Sequence, residues 1–179
     1  MRWLVRNDRD HEENSARVFE LFLLGAVEEF NCTYTNETRS AAAIWIPPGK
    51  KIFAGLRDIP LLLRLIPRVG LRNLFGRLHG NDVMEKHYPS APHYHLLAVG
   101  VCPEAQGKRI GSSIIQPVLE ICDKEKLPAY LETSNLKNLA FYQRFQFKLH
   151  EEFPLPHGGP VIWTMWREPQ SSNSSHILP

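Results

Sequence analysis

The sequence predicts an α/β (α+β) domain, a mixed central sheet flanked by helices, on three observations. From Tyr94 onward, strand-like and helix-like runs follow in the order strand, helix, strand, helix, strand, strand. Before them, Cys32–Thr35 and Ala41–Ile46 flank Asn36-Glu37-Thr38-Arg39 with hairpin spacing. Within the first of these regions an apolar strand run ends at Pro103, and a glycine-containing turn opens directly into a helix. At 179 residues the chain suits one domain with a sizeable core, expected over residues 1–169, and no linker or internal repeat divides it. The Ser/Asn-rich stretch 170–179 reads as a mobile tail.

Each element has its own signal. Residues 15–30 read as an amphipathic helix, with Ser15 as cap and Val18, Leu21, Phe22 and Val27 on one face. Pro47-Pro48-Gly49 stops the hairpin that follows. Residues 50–90 carry helically spaced leucines, chopped into short pieces by Pro60, Pro67 and several glycines. Tyr94–Val101 is a strand. Residues 107–126 form a helix with Ile110, Ile114, Val118, Ile121 and Cys122 inward, and Pro117 falls inside it. Pro128–Glu132 is a short buried strand, Leu136–Phe145 a short helix, and Phe147–Phe153 and Val161–Arg167 are strands joined by His157-Gly158-Gly159-Pro160.

Composition excludes several classes of function. The net charge is only +2, so neither nucleic acid nor an anionic membrane is an expected partner. Cys32, Cys102 and Cys122 are odd in number and form no CxxC pair, which suits a reduced, cytoplasmic chain. The N-terminus turns polar too early for a signal peptide, and the longest apolar run, Ile59–Ile66, is broken by Pro60 and Arg64.

The informative stretch is Leu96-Leu97-Ala98-Val99-Gly100-Val101-Cys102-Pro103-Glu104-Ala105-Gln106-Gly107-Lys108-Arg109-Ile110-Gly111-Ser112. A turn of this kind aims several unpaired backbone N–H groups in one direction, with the positive end of a helix behind them. That geometry suits a diphosphate, and Lys108 and Arg109 add charge. A Walker loop does not fit, because Cys102 stands where its first glycine belongs and Arg109 where its Ser or Thr belongs; GxGxxG is also missing. The alternative is a plain strand–turn–helix connection with surface charges.

Gln106-Gly107-Lys108-Arg109-Ile110-Gly111 resembles the acetyl-CoA loop of the GNAT superfamily, Gln/Arg-x-x-Gly-x-Gly/Ala, with Arg109 at its first patterned glycine. Tyr130-Leu131-Glu132-Thr133-Ser134-Asn135 through Asn138 and Phe141-Tyr142 to Gln146-Phe147 is similar to the superfamily's later motif, Gln146 replacing a glycine. With the ending Gly159-Pro160-Val161-Ile162-Trp163-Thr164-Met165, the resemblance is closest to puromycin N-acetyltransferase and its bacterial relatives. It is strong over residues 94–168 and looser before them, where the family's first strand and helix have no counterpart.

The resemblance implies the GNAT acyl-CoA N-acyltransferase fold and transfer of an acetyl group from acetyl-CoA to an amine. It implies that Val99, Gly100 and Val101 pair with the pantetheine arm, with the Val99 N–H at the thioester carbonyl. It places the pyrophosphate on Gln106, Gly107, Lys108, Arg109, Ile110, Gly111 and Ser112, and Asn138 across the arm. Tyr142 is the general acid for the leaving thiolate, since a phenol matches a thiolate in basicity; its alternative is a core aromatic beside Phe141 and Phe145. Glu132 takes the amine proton or only orders the following loop. Tyr34 and Trp45 line the acceptor pocket or simply pack the hairpin.

No metal is expected. His93 and His95 alternate suitably, but no nearby Cys, Asp or Glu completes a ligand set. Cys102, before proline, reads as packing. The acceptor is a small-molecule amine; the alternatives are protein acetylation and a catalytically weak acyl-CoA-binding module altered at Arg109. An uncovered Cys32–Thr35 edge would favour a homodimer.

Overall fold

The computed structural model describes residues 11–50 and 71–171. The Ile59–Ile66 run and residues 172–179 of the tail lie outside them. The first described element is helix α1, His11–Phe30. Strands β1 (Thr33–Thr35) and β2 (Ala41–Ile46) pair antiparallel. Their turn is held by Asn36, whose Oδ1 accepts from the N–H groups of Ser40 and Ala41 at 2.9 and 3.0 Å.

Helix α2 spans Leu71–Lys86 without a break, where the sequence predicts short pieces. Then come β3 (Tyr94–Val101), α3 (Ile110–Glu125), β4 (Ala129–Thr133), α4 (Leu139–Gln143), β5 (Lys148–Pro154) and β6 (Val161–Arg167). The predicted helix over 136–145 is a 3-10 turn, Leu136–Asn138, followed by the short α4. The six described strands lie in the order β1-β2-β3-β4-β6-β5, antiparallel except for the β3–β4 pair.

Alternation of side chains splits the core into two layers. On one face Trp45, Leu96, Ala129, Leu131 and Met165 pack against Ile114, Ile115, Val118, Leu119 and Cys122 of α3 and against Tyr142 and Phe147. Ile115 and Leu119 are fully buried, whereas the expected Ile110 and Ile121 are only half-buried. On the other face Ala26 and Phe30 of α1 cover Ile44 and Ile46, and Val83 and Met84 of α2 cover Phe153, Leu155 and Ile162.

Pro117 sits inside α3, and the helix runs on to Glu125 regardless. Its far end is clamped to β6. The guanidinium of Arg167 bonds both Asp123 oxygens at 2.7 and 2.8 Å, and its Nε donates to Phe145 O at 2.9 Å. The Gln170 N–H also donates to Asp123 Oδ1, so the chain is tied down at the start of the expected tail. Partial burial works against ionisation of Asp123, but the bonds from Arg167 and Gln170 outweigh it and hold the carboxyl below its usual range. Among the described residues no helix is long and apolar enough to cross a membrane.

Candidate active site

The site begins as a split in the sheet. β3 pairs with β2 along its length, from His95 to Val101. Its parallel pairing with β4 covers only Tyr94–Leu96 against Ala129–Leu131. Beyond Leu96 the two strands part, leaving a gap between residues 97–101 of β3 and the end of β4. A bulge helps to open it. Leu96 faces Trp45 and Ala98 faces Ile44, so Leu97 is an extra residue. Such a bulge bends its strand and switches the face of the side chains beyond it. Val99 and Val101 accordingly pack on the α3 face, as Tyr94 and Leu96 do.

Hydrogen-bond alternation shows what faces the gap. The Cys102 N–H donates to Ser40 O at 2.8 Å, so the bonded positions of this antiparallel ladder are Cys102, Gly100 and Ala98. The N–H and C=O of Val99 and Val101 therefore point away from β2, toward the gap. The Val101 carbonyl is capped by Gln106 Nε2 at 3.1 Å. The two polar backbone groups of Val99 and the Val101 N–H remain open to an added strand-like ligand.

At the end of β3 the chain turns through Pro103–Ala105, and the Gln106 N–H donates to Pro103 O at 3.2 Å. The predicted helix start at 107 is three residues early, because Gly107 and Arg109 take left-handed conformations with φ of 77° and 61°. That excursion keeps their N–H groups out of the helical ladder. Among the described residues, none of the backbone N–H groups of 107–111 has a hydrogen-bond partner, whereas Ser112 and Ser113 both donate to Arg109 O. The N–H groups of Gly107, Lys108, Arg109, Ile110 and Gly111 thus cluster at the positive end of the 16-residue α3.

The two glycines of this loop serve different needs. Gly107 is required by its φ, since a Cβ there would meet open space. Gly111 has ordinary φ, but a Cβ would lie 3.4 Å from Val101 Cγ2 and 3.6 Å from the Phe141 ring. It lets the start of α3 close against the end of β3 and α4.

On the far side of the gap β4 ends in Glu132 and Thr133. Asn138 donates from Nδ2 to Thr133 Oγ1 at 3.3 Å, which fixes it at the start of α4. Tyr142 is 7% exposed, edge-on to Phe141, and belongs to the core layer on the α3 face. Its hydroxyl has no hydrogen-bond partner among the described residues, and burial pushes its pKa up, so it keeps its proton. Packing and a free hydroxyl coexist in this one side chain.

Glu132 projects to the opposite face. Its Oε1 accepts from the Tyr130 hydroxyl at 2.9 Å, and its Oε2 lies 4.0 Å from His95 Nε2. Burial pushes its pKa up to about 7, against the pull of the Tyr130 hydrogen bond. A carboxylate so placed accepts a proton near neutral pH. The groups around it were not legible as a set in the sequence. His95 and Tyr130 face each other across the parallel β3–β4 register, and Tyr88 joins them from the segment after α2. The His93–His95 alternation was the available signal. Both rings are buried against Tyr88 and Tyr130, His93 also against Trp166, and no metal-ligating group of three or more exists among the described residues.

Tyr34 and Trp45 are not brought to Glu132. Both belong to the α3-face layer, where Trp45 is fully buried and Tyr34 half-buried. Lys108 and Arg109 are exposed on the loop.

Comparison with known proteins bears on the same segment. Residues 70–147 match the model of the acetyltransferase (GNAT) family. An uncharacterised N-acetyltransferase of Schizosaccharomyces pombe is 34% identical over 84 residues, 46% of this chain. The match spans 34% of that relative's length, about a third. A Corynebacterium glutamicum structure described as histone acetyltransferase HPA2 and related acetyltransferase superposes with a TM-score of 0.63 at 17% identity, over 96% of this chain and 82% of that one. Drosophila melanogaster polyamine N-acetyltransferase, which forms N-acetylagmatine, gives 0.58 at 17% identity over 82% and 78%. Chaetomium thermophilum Naa20, solved with a bisubstrate analogue, gives 0.51 at 13% identity over 83% and 72%. The split sheet and the loop that follows β3 therefore lie in a segment that matches the acetyltransferase (GNAT) family, and the chain has that family's fold.

Proposed function

We propose that the protein is an acetyl-CoA-dependent N-acetyltransferase that acts on a small-molecule amine by direct attack of the amine on the thioester. The observation that carries this reading is the gap itself, with unpaired Val99 backbone along it and five free N–H groups at its end. An amide-containing arm ending in a diphosphate fits both features. The N–H groups of 107–111 would hold the diphosphate, Val99 and Val101 would pair with the arm, and Asn138 Oδ1 would face it from α4. Gln106 contributes by fixing the loop to Val101. When bound, acetyl-CoA supplies the activated acyl carbon.

The chain supplies the proton handling. Glu132 accepts a proton from the acceptor ammonium, directly or through one water, which frees the nitrogen lone pair. The Val99 N–H donates to the carbonyl oxygen as negative charge develops there. As the adduct collapses and the C–S bond breaks, Tyr142 gives its hydroxyl proton to the departing sulfur and regains one from the second proton that the adduct nitrogen sheds, directly or through water. Base and acid lie on opposite faces of the sheet, and the split between β3 and β4 connects them.

The likeness of the Gly159–Met165 ending to puromycin N-acetyltransferase favours a small amine over a protein terminus. The fold-level likeness extends both to a polyamine acetyltransferase and to a structure described as a histone acetyltransferase, so the preference rests on that ending. Three free thiols suit action in the cytosol. We further expect a homodimer through β1, an edge strand of the described sheet with no charge, proline or bulge. A monomer by light scattering at high concentration overturns that assembly.

The deciding experiment is coenzyme A thiol release from acetyl-CoA across a panel of small amines and N-terminal peptides. Release with a small amine supports the proposal. Release with peptides alone moves the acceptor class to proteins. Acetyl-CoA binding with no release from any amine makes the chain a binding module, altered at Arg109.

A further inference from the structure

The carboxylate read above as the base is surrounded by donors rather than cations. Among the described residues no lysine or arginine pairs with Glu132, so its charge is managed by neutral groups. One is the Tyr130 hydroxyl on Oε1. The other is His95, 2% exposed, with Nε2 4.0 Å from Oε2 and Nδ1 3.3 Å from the Tyr88 hydroxyl. We propose that Tyr88 and His95 form a donor chain, Tyr88 O–H to His95 Nδ1 and His95 Nε2–H toward Glu132 Oε2, and that both are positioning residues which keep Glu132 usable as a base. The inference rests on the reading of Glu132 as the base.

The direction of the chain follows from elementary electrostatics. A neutral imidazole carries one N–H, on either nitrogen. Facing an ionised carboxylate, a lone pair on Nε2 would be repelled and an N–H attracted. The proton therefore belongs on Nε2, and Nδ1 becomes an acceptor. Tyr88 is the group within reach of it, and burial pushes the Tyr88 phenol up to about 12, so it has a proton to donate. His95 stays neutral, because burial pulls its pKa down to about 3. At 4.0 Å the Nε2–Oε2 approach is longer than a hydrogen bond, so it acts as a charge–dipole attraction until the ring tips inward.

The remaining titratable groups on this face do not replace that donor. His93 gives its Nδ1–H to Ala91 O at 2.7 Å, which leaves a lone pair on its buried, unpartnered Nε2. Glu151 of β5 lies beyond β6 and is paired with His87 at 2.7 Å. Without the chain, Glu132 would keep Tyr130 as its one donor and hold its proton more tightly. A base that protonates too readily is idle at neutral pH.

The test is a side-chain carboxyl 13C titration of the whole protein, with the Glu132 resonance assigned by its loss in Glu132→Gln. Wild-type Glu132 should titrate near pH 7. His95→Phe should raise that value by about one unit, a tenfold rise in proton affinity. His95→Gln, which keeps an N–H near the Nε2 position, should return it toward wild type, and Tyr88→Phe should raise it by less than His95→Phe. In an active amine assay the rising limb of the kcat/KM profile should move by the same amounts, with the KM for acetyl-CoA unchanged. Titrations of His95→Phe and Tyr88→Phe that coincide with wild type overturn the chain. If His95→Phe does not fold, Tyr88→Phe decides alone. Full turnover in Glu132→Gln would instead overturn the base assignment, which separates the two failures.

Discussion

Glu132 carries a cost that its proposed role explains. Its folded pKa of about 7 stands well above the usual carboxylate value because burial disfavours the charged form. Below about pH 4.5 the group is protonated in both folded and unfolded chains and exerts no pH effect. Between there and pH 7 the folded state holds a proton that the unfolded state has released, so stability falls as pH rises. Above pH 7 the loss is complete and amounts to about 3 kcal/mol. Glu132→Gln keeps an acceptor for Tyr130 and never ionises. It should therefore unfold later than wild type in urea at pH 8, by up to that amount, and match it at pH 4. Equal stability at pH 8 would mean that the carboxylate is better solvated than its surroundings imply. Tyr142 presents the simpler case. Tyr142→Phe keeps the packed ring against Phe141 and Phe147 and removes only the free hydroxyl. Turnover should fall by about 100-fold with acetyl-CoA affinity unchanged. Unaltered turnover would leave Tyr142 as a core aromatic and nothing more.

The turn between β3 and α3 separates two roles that sequence pattern merges. Gly107 is needed for its left-handed backbone, so Gly107→Val should distort the loop and weaken acetyl-CoA binding at least tenfold by calorimetry. Arg109 already holds φ of 61° with a side chain, at a position where the family pattern has glycine. Arg109→Gly should relieve about 1 kcal/mol of backbone strain, offset in part by greater chain entropy, and leave acetyl-CoA affinity equal or tighter. Markedly weaker binding would make the Arg109 side chain a phosphate ligand. Most of this element was legible in the sequence because its signals are local. Pro103 ends the strand, glycine marks the turn, and Ile114, Val118 and Cys122 repeat at helical spacing. The helix start was misplaced because nothing in Lys108-Arg109 announces a left-handed arginine. The set around Glu132 was illegible for a different reason. It depends on which residues of β3 and β4 come abreast and on a tyrosine delivered from the end of α2. Those are facts of register and topology, which spacing along the chain does not encode.

Across the whole molecule the sheet is two half-sheets joined by a short seam. Among the described residues β1, β2 and β3 form one, β4, β6 and β5 the other, and their ladder is Tyr94–Leu96 against Ala129–Leu131. The helices reinforce the seam, with α3 packed across Trp45, Leu96 and Leu131 and its end clamped to β6 through Asp123 and Arg167. A strand-like ligand in the gap would extend the seam through Val99 and Val101 and engage the loop on α3. Its binding should therefore stabilise the fold as a unit and not the loop alone. A ligand specific for the native state adds about 2.7 kcal/mol at a hundredfold excess over its dissociation constant. For a domain of this size that corresponds to roughly 5–10 °C in melting temperature. Hydrogen exchange should slow both along the β3 side of the gap, at Val99 and Val101, and at its end, at the 107–111 amides, in the same titration. Free diphosphate should protect only the loop amides, since it has no arm to pair with β3. A melting curve unmoved by millimolar acetyl-CoA would remove the coenzyme from this cleft. Protection at 107–111 without protection at Val99 would keep the diphosphate site and reject the added-strand geometry.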